Sequence, residues 1–336
     1  MIGAVAPILP SQRPARLCAA ILDRRDTVPA PPFSTAVNRS ANKLAVTDGA
    51  TTSRITAQDV RFGTDGFTVE VNDGAAADDL VVSGWLGGSN GFQKTGAGRM
   101  VLASANTLTG TAAVQAGVLR LANGSALGSA VAAPLAGGTL SLSPGLQATV
   151  GGLKPNAGGM TDVGSGMVTV MSGLSVADML TALIAGRGDG SWNGASGITS
   201  SQAAADIIAS TPRTVGWLDN GDGSVAFAFA ASGDTNLDWS VDILDAANFL
   251  AGGKFDTGSP ASWIEGDFGY DGLVDILDAA EFLSTGLFDA GAYNAPPGGV
   301  ASVAAVPEPS ASVTVAAVFA AIAGLSFRGR RNRRAD

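Results

Sequence analysis

Two acidic segments that repeat each other contain the residues best suited to chemistry in this chain. The stretches GDTNLDWSVDILDAANFL (233–250) and GDFGYDGLVDILDAAEFL (266–283) are offset by 33 residues and share the heptapeptide VDILDAA. A shared heptapeptide at one offset indicates an internal duplication. Residues 233–289 contain twelve Asp or Glu and a single basic residue, Lys254. This segment therefore concentrates negative charge that basic side chains of its own do not balance.

The spacing of these acids is that of a twelve-residue Ca²⁺-binding loop. Such a loop supplies oxygen ligands from positions one, three, five, seven, nine and twelve, and position seven uses its backbone carbonyl. Four or five carboxylates brought close together repel one another unless a cation neutralises them. The candidate ligands are Asp234, Asn236, Asp238, Ser240, Asp242 and Asp245 in the first loop, and Asp267, Asp271, Leu273, Asp275 and Asp278 in the second.

The two loops depart from the ideal pattern in different ways. Gly269 removes the side-chain ligand at position three of the second loop, whereas Trp239 replaces the usual Gly at position six of the first, where the chain must turn sharply. Val241 and Val274 at position eight are expected to pair across the loops. Because each half is too small to fold alone, we predict Ca²⁺-dependent folding. The alternative is a pair of solvated helix caps, since Asp is common at N-caps.

Duplicated loops with Asp at position twelve, each followed by one short helix, resemble type I dockerin modules. The resemblance implies a small α-helical, EF-hand-like calcium module over residues 232–290. Dockerins bind cohesins through loop positions ten and eleven, often hydroxyl residues, but here these are Ile243-Leu244 and Ile276-Leu277. We therefore do not expect cohesin docking. Two alternatives stay open for these apolar pairs: contact with the preceding module of this chain, or contact with a separate surface protein.

The composition excludes most catalytic chemistry. The 336 residues contain no His and one Cys, Cys18, which removes imidazole bases, Ser/His/Asp and Cys/His nucleophile systems, and internal disulfides. A formal net charge of −9 argues against nucleic acid as a partner. We expect the protein not to be an enzyme.

Residues 51–175 have the pattern of many short strands. Short apolar runs of period two, such as FTVEV (67–71), RMVLAS (99–104) and GTLSLS (138–143), alternate with Gly and Asn. The chain has 46 Gly and few charged residues, which favours stacked strands and turns over helical bundles. We predict a mainly β fold with a parallel β-helix or solenoid. Residues 1–50 are predicted to be poorly structured, and since they lack a signal-peptide pattern, we expect an export signal upstream.

The segment GFQKTGAGRMVLASANTLTGTAAVQAGVLRLANGSALG (91–128) resembles the autotransporter-associated β-strand repeat. The resemblance implies parallel β-helix rungs, in which Gly permits positive φ at the corners and Asn can bond neighbouring backbone at a turn. Leu108 departs from the pattern, because the family usually has an aromatic residue there. The matching positions are Lys94, Gly96, Gly98, Asn106, Gly110, Gly117 and Leu119.

Residues 176–231 are expected to connect the solenoid to the acidic module. SVADMLTALIAG (175–186) places its apolar residues on one helical face, and SQAAADIIAS (201–210) is a second helical run. RTVGWLD (213–219) and SVAFAFA (224–230) flank the Asn-Gly-Asp-Gly sequence 220–223, which favours a hairpin turn over a third metal loop.

The C-terminal end has three parts after a linker at 291–305: the sequence Val306-Pro307-Glu308-Pro309, an apolar stretch at 310–327, and an arginine cluster that begins at Arg328. Eighteen uncharged residues, 310–327, span about 27 Å as a helix, just enough to cross a bilayer core. This ending resembles the PEP-CTERM sorting signal (306–336), which implies recognition by an exosortase-type sorting enzyme during export. The alternative is an ordinary single-pass anchor. The motif residues are Val306, Pro307, Glu308 and Pro309, followed after the apolar stretch by Arg328, Arg330 and Arg331.

Together these patterns imply an exported structural or adhesive protein, at the cell surface or extracellular, held transiently in the membrane by its C-terminal helix. The alternative is a carbohydrate-binding or polysaccharide-processing protein, with an extracellular polysaccharide as partner. Asp162 is the only acid between residues 80 and 177, so the solenoid lacks a carboxylate pair for glycoside hydrolysis. Trp85, Trp192 and Trp217 are the candidate sugar-stacking residues.

Overall fold

The computed structural model describes residues 37–40, 43–56, 60–61 and 67–294. The chain divides into two units, 1–297 and 298–336, and the second lies wholly outside the described residues. The predicted sorting signal and its membrane helix at 310–327 therefore fall outside them. Among the residues that are described, no helix is long and apolar enough to cross a membrane.

The described residues form short strands and four helices, with α1 and α2 placed before the last strands of the chain. The strands are β1 (Val37–Ser40), β2 (Lys43–Val46), β3 (Ser53–Ile55), β4 (Val60–Arg61), β5 (Thr68–Val71), β6 (Leu80–Val82), β7 (Leu86–Gly88), β8 (Phe92–Thr95), β9 (Arg99–Leu102), β10 (Thr107–Leu108), β11 (Thr111–Val114), β12 (Gly117–Leu121), β13 (Val131–Pro134), β14 (Gly138–Leu142), β15 (Gln147–Val150), β16 (Gly152–Leu153), β17 (Met160–Asp162), β18 (Met167–Val170), β19 (Gly197–Thr199), β20 (Thr214–Asp219) and β21 (Val225–Ala230). The helices are α1 (Val176–Arg187), α2 (Ser201–Ile208), α3 (Ile243–Gly252) and α4 (Ile276–Ser284), with one 3-10 turn at Trp263–Glu265.

The strands stack into a mainly parallel β-solenoid of about six turns. One seven-stranded sheet has the order β1-β2-β5-β8-β11-β13-β16, and a second has the order β19-β17-β14-β12-β9-β6-β3. Neighbours in the second sheet are parallel and in register, so Leu119 lies beside Met100 on one side and Leu140 on the other. All three side chains are buried. The period-two alternation therefore fills one continuous apolar interior, as the sequence predicts.

The solenoid begins earlier than the predicted boundary at residue 51. β1 and β2 pair antiparallel, and β2 then pairs parallel with β5. Val46 is buried inside the first turn. The prediction of a poorly structured segment through residue 50 is therefore wrong for residues 43–46. The apolar run KLAV is too short to be recognised as a strand from sequence, and its partner β5 lies more than twenty residues further along the chain.

Polar side chains inside the repeat region hold adjacent turns together. The Lys94 ammonium is fully buried and donates to the carbonyl oxygens of Gly96 (2.6 Å), Gly98 (2.5 Å) and Ala116 (2.8 Å). Gly117 has φ +64°, and a Cβ there would lie 2.5 Å from a backbone carbonyl oxygen of the preceding turn. These contacts explain why the repeat requires Lys and Gly at these positions.

Asn106 performs a similar function at the next corner of the coil. Its side chain accepts from the Leu86 amide at 2.8 Å and donates to the Ala126 carbonyl at 2.7 Å. One buried amide thus links three successive turns and satisfies backbone groups that no strand pairs. The predicted role of this Asn at a turn is what the structure shows.

The parallel solenoid ends where an antiparallel hairpin pairs with it. β21 is antiparallel to both β18 and β20, and Gly221 and Gly223 in the connecting turn have φ of +75° and +88°. α1 and α2 precede the hairpin, and the side chains of Ser175 and Ser200 cap their N-termini. This end of the solenoid supports the acidic module.

Candidate metal centre

The first Asp of each loop accepts hydrogen bonds from the same two loop positions. Asp234 Oδ1 accepts from the amide at position five at 3.2 Å, and its Oδ2 accepts from the amide of Trp239 at 3.0 Å. In the second loop, Asp267 Oδ1 likewise accepts from the amide at position five at 3.2 Å, and its Oδ2 accepts from the amide of Gly272 at 3.0 Å. Two segments 33 residues apart thus fold into the same loop, which supports the inferred duplication.

The last Asp of each loop ties the start of the loop to its helix. Asp245 Oδ1 accepts from the Thr235 amide at 2.8 Å, and Asp278 Oδ1 accepts from the Phe268 amide at 2.9 Å. The other oxygen of each carboxylate accepts from the amide at position nine, at 2.9 Å in both loops. Position twelve therefore sets the curvature of the loop, whatever else it binds.

Position nine of each loop is a helix N-cap. Asp242 accepts from the Leu244 amide at 2.7 Å at the start of α3, and Asp275 accepts from the Leu277 amide at 2.6 Å at the start of α4. Each forms a capping box with the Asp three residues later. The helix-cap alternative thus describes part of what the acids at positions nine and twelve do, but not the buried acid at position one.

The sharp turn at position six forms in both loops despite their different residues. Trp239 has φ +68° and Gly272 has φ +80°. A left-handed conformation is unfavourable for a bulky residue. Trp239 offsets that cost because its side chain is buried and its indole N–H donates to the Phe229 carbonyl at 3.0 Å. The expected weakness of the first loop is therefore compensated by packing against the solenoid.

Four buried carboxylates in these loops lack a basic partner. Asp234, Asp245, Asp267 and Asp278 are each at most 4% exposed. In the described part of the chain, no Lys or Arg forms an ion pair with any of them. Buried charge without a compensating cation is unfavourable. These oxygens fit a hard cation such as Ca²⁺, which takes carboxylate and carbonyl ligands.

Their environment raises the pKa of three of these acids, Asp234, Asp245 and Asp267. Burial raises the pKa of Asp234 to about 7, and the charges of Asp245 and Asp238 act in the same direction, while hydrogen bonds from Tyr293 and Trp239 oppose it. Burial likewise raises the pKa of Asp267 to about 6. Each loop thus holds an acid that is costly to ionise unless a cation is bound.

The remaining predicted ligands lie at the loop surface. Asn236 donates from its amide to Asp238 Oδ2 at 2.9 Å, and Asp238 Oδ1 accepts from the Ser240 amide at 2.9 Å. In the second loop the exposed Asp271 accepts from the Leu273 amide at 2.9 Å. Among the residues described, no three Asp, Glu, His or Cys side chains converge closely enough to hold a metal. The fit to Ca²⁺ thus depends on loop shape and buried charge.

The position-eight valines have other backbone partners than the expected pairing across the loops. The Val241 carbonyl accepts from the Asp289 amide at 2.8 Å, and the Val274 carbonyl accepts from the Asp256 amide at 2.8 Å. The segment that follows each helix therefore closes the loop of the other repeat. The expected Val241–Val274 pairing is replaced because these segments, themselves duplicated as KFDTG and LFDAG, occupy the edge of each loop.

Loop residues other than the ligands attach the module to the solenoid. The Tyr270 hydroxyl contacts the Val215 carbonyl and lies 2.9 Å from Thr214 Oγ1. Trp263 is fully buried and donates to the Asp234 carbonyl at 2.7 Å. Sequence reasoning missed Tyr270 and Trp263. Tyr270 lies at position four of the second loop with φ +63°, whereas Trp263 precedes the loop, so the loop spacing gives no signal for it.

The apolar pairs at positions ten and eleven do not contact the solenoid. Ile243 and Leu244 are 70% and 59% exposed, and Ile276 and Leu277 are both 69% exposed. Of the two alternatives for these pairs, contact with the preceding module is therefore wrong.

Two of the three candidate sugar-stacking tryptophans belong to the core. Trp192 and Trp217 are about 5% and 4% exposed, while Trp85 is half-buried. Neither buried ring offers an open face on which a sugar could stack.

The described fold defines a parallel β-solenoid with a small duplicated α-helical module packed on its C-terminal end. Residues 92–121 match the family model of the passenger-associated-transport-repeat. The match confirms the repeat that the sequence predicts within 91–128. No curated protein and no solved structure matches the chain significantly.

Proposed function

We propose that this chain is an exported, surface-associated structural or adhesive protein whose solenoid is closed by a Ca²⁺-stabilised, dockerin-like module. The passenger-associated repeat supports export, because repeats of this kind form the extracellular parts of passenger-like proteins. The solenoid supplies a long, regular surface with no Asp or Glu between residues 80 and 161, which suits a structural role better than catalysis.

The observation that carries the calcium proposal is the set of backbone amide hydrogen bonds that the two loops share around buried carboxylates without a basic partner among the described residues. Asp234 and Asp267 occupy position one, and Asp245 and Asp278 occupy position twelve, with the same four amide contacts. A bound Ca²⁺ would supply the missing positive charge. The metal would then have a structural function, because it would bring together loops that anchor the module on the solenoid.

Calorimetric titration of the full chain with Ca²⁺ tests this proposal. Two binding events per chain and a higher melting temperature in Ca²⁺ than in chelator are expected. Asp245→Asn and Asp278→Asn should each remove one event, because each loses a carboxylate oxygen of its own loop. Asp48→Asn, an exposed acid on the solenoid, is the matched control. Equal melting temperatures with and without Ca²⁺, together with no heat of binding, would overturn the proposal.

We extend the proposal to the C-terminal tail on its sequence pattern. Val306-Pro307-Glu308-Pro309, the apolar stretch 310–327 and the arginines that follow would be recognised by an exosortase-type enzyme and removed after export. Intact mass of the protein recovered from the cell surface tests this. The wild type should lack the apolar stretch, and Pro307→Ala with Glu308→Gln should retain it. A mature protein that keeps residues 310–336 would identify a permanent anchor instead.

A further inference from the structure

A cavity of about 280 Å³ lies where the module meets the end of the solenoid. Its walls come from the end of α1, the segment before β20 and the last turn of α4. The volume is close to the lower end of the roughly 300–1,000 Å³ that small-molecule sites span, so it suits a ligand of about one sugar unit. The cavity is lined by several polar and aromatic side chains, among them Arg187, Trp192, Arg213, Ser232 and Glu281.

Two arginines line this cavity, and each makes a single hydrogen bond to the described residues. Arg187 donates to the Gly269 carbonyl at 3.1 Å, and Arg213 donates to its neighbour's carbonyl at 2.9 Å. A guanidinium has five N–H donors. Within the described ranges, neither arginine forms an ion pair with a carboxylate. Two cationic groups therefore meet at one cavity in a chain whose net charge is −9.

Aromatic rings hold both guanidinium groups in place. The Arg187 Cζ lies 5.2 Å from the centre of the Tyr270 ring, and the Arg213 Cζ lies 5.3 Å from the centre of the Tyr293 ring. Such contacts fix the plane of the group while its edge stays free to donate. A pair of fixed forks is suited to a carboxylate, which a guanidinium binds through two parallel hydrogen bonds.

The cavity also offers an acceptor and an apolar wall. Glu281 is half-buried and accepts from Ser232 Oγ at 3.1 Å through one of its two oxygens. Burial raises the pKa of Glu281, and the charge of Arg187 opposes that shift. Trp192 forms part of the wall with φ +59°, a conformation that bulky residues rarely adopt and that concentrates at binding sites.

We infer that this cavity binds a small hydroxylated carboxylate of the class of a uronic-acid unit. Arg187 and Arg213 take the carboxylate, Glu281 accepts from a ligand hydroxyl, and the Trp192 edge contacts the apolar face of the ring. A free sugar acid and the end of an acidic polysaccharide present the same chemistry. The inference goes beyond the structural role proposed above, because it requires the packed module but not the metal ion.

Calorimetry or NMR titration of the full chain with glucuronate, in the presence of Ca²⁺, tests the inference. Saturable binding is expected, and glucose should bind roughly tenfold or more weakly because it lacks the charge. Arg213→Gln should weaken glucuronate binding by a similar factor, and Arg213→Lys should weaken it less. Arg120→Gln on the solenoid, whose Nε donates to Ser143 Oγ at 3.2 Å, is the matched control.

The possible outcomes distinguish a free sugar acid from the end of an acidic polysaccharide as the ligand. Binding of both glucuronate and an oligogalacturonate assigns the cavity to the end of an acidic polysaccharide, whereas binding of the monomer alone assigns it to a free sugar acid. The inference is overturned if glucuronate gives no saturable signal, or if Arg213→Gln, with an unchanged melting temperature, binds it as the wild type does. The inference stays testable if the calcium proposal fails, because a wild-type chain that binds no Ca²⁺ but keeps its module folded can still be titrated with glucuronate.

Discussion

The hydroxyl of Tyr293 donates a 2.6 Å hydrogen bond to Oδ2 of Asp234, the first acid of the first loop. The same hydroxyl accepts from the Ala231 amide at 2.9 Å. The chain that follows the second helix thus returns to the beginning of the module and completes its first loop. A buried carboxylate that would otherwise repel its neighbours receives a strong, charge-assisted donor there.

Replacement of Tyr293 by Phe should destabilise the module without altering its packing. The ring contact with Phe229, at a centroid distance of 6.3 Å, would remain, and only the hydroxyl would be lost. A hydrogen bond to a charged group contributes about 1.5–3 kcal/mol. We expect the free energy of unfolding to fall by about 2 kcal/mol in urea titrations at saturating Ca²⁺. An unchanged unfolding midpoint would show that the hydroxyl is not needed.

Each loop depends on the segment that follows the other helix, and truncation should reveal this dependence. The Asp289 amide donates to Val241, so a chain that ends at residue 285 loses the closure of the first loop. The Asp256–Val274 contact of the second loop would remain. Ca²⁺ titration should show weaker binding at the first loop and little change at the second. A chain ending at residue 305 is the control, and equal weakening of both loops would contradict the reciprocal closure.

Among the lysines of the solenoid, Lys94 should be the one whose replacement most lowers the free energy of unfolding. Its ammonium donates to three carbonyl oxygens, and Lys94→Met would remove this donor from all three, leaving only Gly98 with another donor, the Val118 amide at 3.3 Å. Each unsatisfied group costs about 1–3 kcal/mol, so we expect a loss of roughly 3 kcal/mol or more in unfolding free energy. Lys154→Met, at an exposed position, should change it by less than about 0.5 kcal/mol. Similar melting temperatures for the two variants would disprove the structural role of Lys94.

Much of the solenoid could be predicted from sequence because its signals are local. Alternation of apolar residues predicts the strands, and the repeat pattern also identifies Lys94 in β8, Asn106 just before β10 and Gly117 at the start of β12. The hairpin around Gly221 follows from turn chemistry alone. The strand at 43–46 escaped prediction because a four-residue run becomes recognisable only through its distant partner.

The sequence predicts the two loops of the candidate site, but not the contacts that attach them to the solenoid. Spacing of acids gives positions one to twelve, and the loops have the shape that this spacing requires. The burial of Trp239 at a position suited to Gly, and the contact of Tyr270 with Val215, depend on packing between segments far apart in sequence. Sequence periodicity does not predict contacts between distant segments. For the same reason the sequence did not identify Arg187 and Arg213 as cavity residues.

The ionisation of the two tyrosines gives a test of the interface that needs no ligand. They are the only tyrosines in the chain, and both lie where the module meets the solenoid. Burial raises the pKa of Tyr270, and burial together with the charge of Asp234 raises the pKa of Tyr293. Near-UV absorbance should therefore show no tyrosinate in the folded protein near the ordinary tyrosine pKa of 10.0.

The sign of the linked stability change follows from these shifts. Above pH 10 the unfolded chain releases both phenolic protons while the folded chain keeps them, so the free energy of unfolding should fall as the pH rises. Below that pH the contribution is fully present. Tyr270→Phe should remove part of the alkaline loss, because it removes one of the two linked protons, even though it also lowers stability at neutral pH. Reversible tyrosinate formation near pH 10 with no loss of structure would mean that the module does not pack on the solenoid in this way.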